Sequence, residues 1–347
     1  MATTPLPPTT VRVVLPGLVE PAVLLVENAP VPRPADGELL VAVQATGISY
    51  AEQSMRRGRY FGQPAFPFTP GYDLVGTVLE CGPGTDPALL GRRVAALTKT
   101  GAWAGHAVVR ARDAVPVPDG LASEDAEAAT VNGVTAWQML HRAARIRSGQ
   151  TVLVFGANGG VGGLLIQLAR HAGVRVIGAA APRHHEALRA AGVEPVDPTD
   201  PELAAAVRAL APGGVDAVFD NLGGDITRTA WNLLAPGGTL VAYAIVGEVG
   251  GTGSLWPPFL RALARILLWK VLPNGRRATF YDLWSGHSTR KARFRRRLHE
   301  DLAQVFALLE DGAITAGIAA RFPLADVARA LELAESRTLN GKVVLIP

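Results

Sequence analysis

The first chemistry the sequence offers lies between Gly156 and Gly162, in the run Gly-Ala-Asn-Gly-Gly-Val-Gly. Small residues at this density let backbone approach a ligand, and free N–H groups at the start of a following helix attract negative charge. The spacing puts Ala157, Gly159 and Gly162 at the three small positions of a dinucleotide fingerprint. Those positions serve a tight turn, close approach to a pyrophosphate, and a helix lying close to a strand. An acid about twenty residues beyond the first of them would grip the ribose 2′-hydroxyl of NAD. From Thr151 to His185 there is no Asp or Glu. Arg183 and His184 stand there instead, and a cation suits a 2′-phosphate. The expected cofactor is therefore NADPH, with Arg183 as phosphate partner and His184 as second choice. The plainer alternative for Arg183 is a solvated residue opening a helix.

Other chemistries find little support. The single cysteine, Cys81, allows no intramolecular disulfide and no cysteine-rich zinc site. The seven histidines form no H-x-x-x-H pattern, and a catalytic zinc needs about three protein ligands. No Ser/His/Asp or Cys/His constellation is apparent, which argues against hydrolysis. A net charge of +4 is too mild for a nucleic-acid binder, and no reader motif accompanies the cation run Arg290–Arg297. No charge-free apolar segment is long enough to span a bilayer, and the N-terminus does not read as a signal peptide. The expected location is the cytoplasm.

The glycine run needs a strand before it and a helix after it. Thr151–Phe155 is a β-favouring apolar run, and Leu164, Leu165, Leu168 and Ala172 recur at helical spacing. Further strand–helix units follow: Val174–Ala179 with a helix from about Arg183, then Val215–Asp220 with a helix ending near Leu234, then the apolar run Gly238–Tyr243. Such alternation predicts a doubly wound parallel sheet. Residues 1 to about 122 read as all-β, with short runs at Val11–Leu15, Leu39–Thr46, Leu74–Leu79, Arg93–Leu97 and His106–Val109. Turn residues punctuate them, which suggests a small barrel. Ser123 with Glu124 and Asp125 opens a helix. Near the end, Ala319–Phe322, a helix from Ala325 to Glu335, and Lys342–Ile346 return to the first domain. With 347 residues, 48% of them hydrophobic, the chain can bury two cores. The domains read as 1–122 and 285–347 together, around 123–284.

Several blocks then carry a specific resemblance. They are Gly47-Ile-Ser49-Tyr50-Ala-Glu52-Gln-Ser54-Met-Arg56-Arg57-Gly58-Arg-Tyr60, Pro70–Gly76, Asn132-Gly-Val-Thr135-Ala-Trp137, Ala157–Gly162, Asp220–Gly224, Ala235–Gly238 and Asn340–Leu345. In order and coverage the chain resembles a medium-chain dehydrogenase/reductase of the zinc-free quinone oxidoreductase type. The resemblance implies an α/β chain: a GroES-like β-barrel catalytic domain beside a Rossmann domain. It implies NADPH-dependent hydride transfer to a quinone or an α,β-unsaturated carbonyl compound. Tyr60 is implied as hydrogen-bond donor to the acceptor oxygen, with Tyr50 and Ser54 lining the pocket. Candidate cofactor contacts are Thr135, Ala157, Asn158, Gly159, Gly160, Val161, Gly162, Ala180, Arg183, His184, Asn221, Tyr243 and Asn340. Thr135 is read as opening the helix after Asn132-Gly133. Zinc-dependent relatives carry a His-Glu pair where this chain has Tyr72-Asp73, and a Cys in the segment matching Ile48–Glu52; no metal is expected. Ser49 and Glu52 depart from the family's usual Asn and Asp, and Glu52 is one methylene longer.

Arg276–Leu283 resembles the sixth Rossmann strand, whose edge implies a homodimer with an isologous contact. The stretch Trp256–Leu272 is the most individual. Leu260, Leu263, Leu267 and Val271 keep helical spacing, with Arg261, Arg265 and Lys270 between them. Three readings stay open: a core or lid helix, a dimer contact, or a basic amphipathic helix on a membrane surface. Two functional alternatives also stay open: a membrane-associated nucleotide-binding scaffold of the same fold, and a reductase dedicated to a secondary metabolite or lipid.

Overall fold

The computed structural model describes residues 6–249 and 256–347. The first residues of the N-terminal stretch, 1–5, and the part of Val246–Gly275 at 250–255 lie outside the described residues. Two compact units emerge, 1–134 with 286–347, and 135–285. The sequence reading drew the first boundary ahead of the helix that Ser123 opens; the division falls near that helix's end.

In chain order the first unit holds β1 (Thr9–Val14), β2 (Leu25–Pro30), β3 (Glu38–Ile48), α1 (Tyr50–Arg56), β4 (Asp73–Cys81), β5 (Arg93–Leu97), β6 (His106–Arg110), β7 (Val115–Pro116) and most of α2 (Ser123–Trp137). The second holds β8 (Thr151–Phe155), α3 (Gly160–His171), β9 (Arg175–Ala179), α4 (His185–Ala190), β10 (Glu194–Val196), α5 (Leu203–Leu210), β11 (Val215–Asp220), α6 (Gly224–Asn232), β12 (Leu234–Ala242), α7 (Val246–Val249), α8 (Trp256–Val271) and β13 (Arg277–Phe280). The chain then returns to the first unit as α9 (Lys291–Glu310), β14 (Ile318–Pro323), α10 (Val327–Glu335) and β15 (Lys342–Ile346).

The first unit's main sheet runs β14-β15-β3-β4-β5-β7, with β6 also paired to β3, and β1 and β2 form a separate antiparallel pair. Apolar residues alternating inward from β3, β4 and β5 build one core around Leu39, Val41, Leu74, Val78 and Val94. The expectation of an all-β first segment needs correction, because α1 interrupts it. Ser49 caps that helix and Glu52 closes a capping box with it.

The second unit's sheet is parallel, in the order β10-β9-β8-β11-β12-β13. Strands β8, β9 and β11 are buried along nearly their whole length, as expected of a sheet covered on both faces. By sequence the order reads 3-2-1-4-5-6, so it reverses between β8 and β11, and ligands of such sheets bind at the carboxyl ends there. Strand β13 is an edge. Helix α8 covers it through Ile266 and Trp269, and Trp269 stacks on Trp231 at 4.6 Å between ring centroids. The stripe Leu260, Leu263, Leu267 and Val271 is not core. It points outward, at 53%, 37%, 53% and 75% exposure.

Candidate functional site

The carboxyl ends of β8 and β11 meet at two residues. Gly156, straight after β8, takes φ +65°, a conformation that side chains disfavour. A Cβ there would also lie 2.6 Å from Asn221 Nδ2. Asn221 follows β11 and is held by its neighbour. Asp220, buried, accepts from the N–H groups of Leu222 (2.8 Å) and Gly223 (3.2 Å) and from Thr227 Oγ1 (2.6 Å). Burial raises the Asp220 carboxyl above its ordinary pKa, against those hydrogen bonds. Asn221 Oδ1 is buried without a hydrogen-bond partner, and such an atom is costly unless a ligand meets it.

Gly159 stands at the N-cap of α3, and the helix begins with Gly160 and Val161. Its first N–H groups have no partner within the helix. Gly162 is small for a hard reason: a Cβ there would sit 2.1 Å from the carbonyl oxygen of Gly156. Asn158 lies in the turn. Ala157 is buried and donates its N–H to Ala179 O at 3.2 Å. The tight turn is therefore made by Gly156, which the fingerprint alignment passed over in favour of Ala157. The loop fits a diphosphate: small residues, unpaired N–H groups and a polar atom awaiting a partner.

Arg183 lies in a short 3-10 turn, Pro182–His184, directly beyond β9, and is exposed. Its Nε donates to His184 Nε2 at 3.2 Å. An accepting Nε2 means a neutral ring, and His184 is 3% exposed. His184 therefore holds Arg183 and is poorly placed to meet a phosphate itself. Past the end of β10, Asp197 closes its own turn, accepting from the N–H (2.9 Å) and Oγ1 (2.7 Å) of Thr199. Ala180 is buried, and its carbonyl meets His185 Nε2 at 2.9 Å. Tyr243 donates its N–H to Asp220 O at 2.9 Å; burial and then the Asp220 charge raise its hydroxyl above the usual range.

The first unit gathers a second group. Tyr60 Oη and Tyr72 Oη lie 2.7 Å apart, in an edge-to-face pair. Glu52 Oε1 accepts from the Tyr72 N–H at 2.7 Å, while its Oε2 accepts from Ser49 N at 2.9 Å and from Ser49 Oγ. The longer side chain of Glu52 thus ties the start of α1 to Tyr72. Burial raises its pKa, with Ser49 opposing. Tyr72 was missed as a site residue; the signal was its place opposite the zinc-type histidine. Tyr50 opens α1, and burial pushes its hydroxyl up to about 12. Ser54 is buried and donates to Tyr50 O at 2.8 Å, so its hydroxyl serves its own helix.

Behind Tyr72 lies a buried charge cluster. Lys342 Nζ donates to Asp73 Oδ1 and Oδ2 (3.0 and 2.9 Å) and to Glu127 Oε1 (2.6 Å). Val131 N–H adds a bond to Asp73 Oδ2 at 2.9 Å. The cluster ties β4, α2 and β15 together. Among the described residues no group of three or more His, Cys, Asp or Glu could hold a metal ion.

One expectation changes. Thr135 is buried near the end of α2 and opens no helix, because α2 continues through Asn132-Gly133. Gly133 is there for packing, since a Cβ would press on Val305 of α9 at 2.7 Å. Asn340 sits exposed in the loop before β15.

Comparison with known proteins is consistent with this geometry. Residues 35–119 match the alcohol dehydrogenase GroES-like domain, and residues 192–345 match the zinc-binding dehydrogenase family. The human synaptic vesicle membrane protein VAT-1 homolog is 31% identical over 325 residues, covering 91% of this chain and 80% of that protein. A mycobacterial quinone oxidoreductase superposes with TM-score 0.80 at 31% identity, over 97% of this chain and all (100%) of that one. A mycobacterial protein complexed with NADPH gives TM-score 0.82 at 29% identity, with the same coverage of 97% and 100%.

Proposed function

The chain belongs to the medium-chain dehydrogenase/reductase superfamily, of the quinone oxidoreductase-like type, and on that premise we propose that it moves hydride from NADPH to a quinone or an α,β-unsaturated carbonyl compound. The observation that carries the reading is Arg183, exposed directly beyond β9 on a loop without a carboxylate. The mycobacterial relative complexed with NADPH supports it.

When bound, NADPH supplies the hydride, so the protein must contribute position and electrostatics, and the proton comes from an acid or from solvent. The N–H groups of Gly160 and Val161 would take the diphosphate, Asn221 Oδ1 a donor on the cofactor, and Arg183 the 2′-phosphate. Tyr60 Oη would donate to the acceptor oxygen as negative charge builds on it, which is where a fixed donor helps most. Tyr72 Oη is placed to hold Tyr60 in that orientation. An enone gains hydride at its β-carbon and a proton at its α-carbon. A quinone gains the same hydride and proton and becomes a hydroquinone.

The test has two parts. Calorimetric titration with NADPH and NADH should show binding, with NADPH the tighter. Loss of nicotinamide absorbance should then follow addition of p-benzoquinone or 2-cyclohexenone. Binding without turnover on either compound would overturn the acceptor class, and no binding at all would overturn the whole reading.

A further inference from the structure

Helix α8 carries two apolar faces. At about 100° per residue, Phe259, Ala262, Ile266 and Trp269 share one side, and Ile266 and Trp269 there are buried against the sheet. Trp256, Leu260, Leu263, Leu267, Leu268 and Val271 share the opposite side, in an arc about 140° wide. That second face is exposed to solvent: Trp256 is 58% exposed, Leu268 58% and Val271 75%. An exposed apolar stripe of this extent marks a contact surface. Cations border it, Lys270 on one flank and Arg261 on the other, and the helix contains no acidic residue.

Lys270 also belongs to a hollow of about 360 Å³ beside the edge strand β13. Arg142, Arg276 and Arg277 line the same hollow, with Thr239 and Thr279 and no carboxylate. Arg276 is preset there, its Nη1 donating to Trp231 O at 3.2 Å and its guanidinium lying 5.9 Å over the Trp231 ring. Cations from three separate stretches of chain converge on one space. Positive charge gathered in one hollow attracts an anion.

We propose that α8 and this hollow form a docking site for a bilayer rich in anionic phospholipid. The outward stripe enters the headgroup–acyl boundary, and the cations of the hollow take a phospholipid headgroup. An amphipathic helix with aromatic and leucine residues on one face and cations at its borders lies in the interface plane. Each surface cation adds attraction to an anionic leaflet. A second copy of the chain is the poorer occupant, because a two-fold contact would bring these cationic borders against their own images.

The test is co-sedimentation of the full chain with vesicles of phosphatidylcholine alone or phosphatidylcholine with phosphatidylserine. The expected result is binding to the anionic vesicles only, weakened by salt. Replacing Lys270→Ser with Arg277→Ser should weaken partitioning about 30-fold, from two surface charges removed. Leu260→Ser with Leu267→Ser should abolish it, and nucleotide binding in the absence of lipid should persist in both variants. In the unaltered protein, brominated phosphatidylserine vesicles should quench tryptophan emission, and the loss should disappear in Trp256→Phe. A wild-type protein left in the supernatant with both vesicle types overturns the proposal. So does binding that ignores both double substitutions. So does a two-chain particle that Leu260→Ser with Leu267→Ser splits while vesicles capture nothing.

Discussion

Tyr60 Oη and Tyr72 Oη stand 2.7 Å apart, with ring planes at 85°. The Tyr72 backbone is in turn held by Glu52. If Tyr60 donates to the acceptor oxygen, its loss removes one preorganised donor. Tyr60→Phe should then lower kcat by about 100-fold while leaving NADPH binding intact. Tyr72→Phe removes only the support of that donor, about one ordinary hydrogen bond, and should lower kcat by roughly fivefold. Steady-state kinetics on a quinone decide it; wild-type turnover in Tyr60→Phe would remove Tyr60 from the chemistry.

Arg183 and His184 make an asymmetric pair, one exposed and one buried. A charge-assisted bond to a phosphate contributes about 1.5–3 kcal/mol. Arg183→Ala should therefore raise the Kd for NADPH by about 10- to 100-fold and change that for NADH by less than about twofold. Calorimetry on both nucleotides measures the split. Equal losses would show that Arg183 acts on the fold and has no selective role at the 2′-phosphate.

Two neighbouring glycines in α3 should respond with opposite signs. A Cβ at Gly162 meets the Gly156 carbonyl oxygen at 2.1 Å, and backbone cannot easily give way. Gly162→Ala should cost about 1–3 kcal/mol and weaken nucleotide binding, since the turn must open. Gly163 has nothing within 4 Å of the same position. Gly163→Ala should leave binding unchanged and stabilise the helix by up to about 1 kcal/mol. Thermal unfolding with and without NADPH reports both.

These residues also show where sequence reading succeeds and where it stops. Val215–Asp220 and Lys342–Ile346 were legible to the residue, because an apolar run between turn residues has few other uses in an α/β chain. Arg183 was legible as a cation where an acid would otherwise stand. Gly156 was not, because spacing counts small residues and does not say which one takes a positive φ. The direction of α8 was not legible either. Both of its faces repeat apolar residues at helical spacing, and the choice between them is made by Trp231, far away in sequence, which stacks on Trp269. Tyr72 and Lys342 were visible as parts of blocks. Their partners Tyr60, Asp73 and Glu127 come together only through the sheet and the helices packed on it.

Lys342 should be a keystone whose value depends on pH. Burial alone would lower its pKa, but the Asp73 and Glu127 carboxylates outweigh that and raise it. An amine raised in the folded state adds stability that is complete below its unfolded pKa and is lost only as pH climbs through the folded value. The full contribution is thus present at neutral pH. Lys342→Met would leave Asp73 and Glu127 buried without a cation, at a cost of about 3–5 kcal/mol. Glu127 is already raised well above its ordinary value by burial, even with Lys342 opposing. Without the ammonium, the Glu127 carboxyl gains further reason to hold its proton, and a neutral carboxyl needs no cation. The unfolded chain ionises Glu127 near pH 4, so the penalty for keeping it neutral grows by about 1.4 kcal/mol per pH unit above that. The Tm gap between wild type and Lys342→Met should therefore be widest near neutrality and narrow as pH falls toward about 5. Paired thermal melts across that range measure it. A gap that stays constant with pH would mean that the carboxylates do not depend on the charge of Lys342.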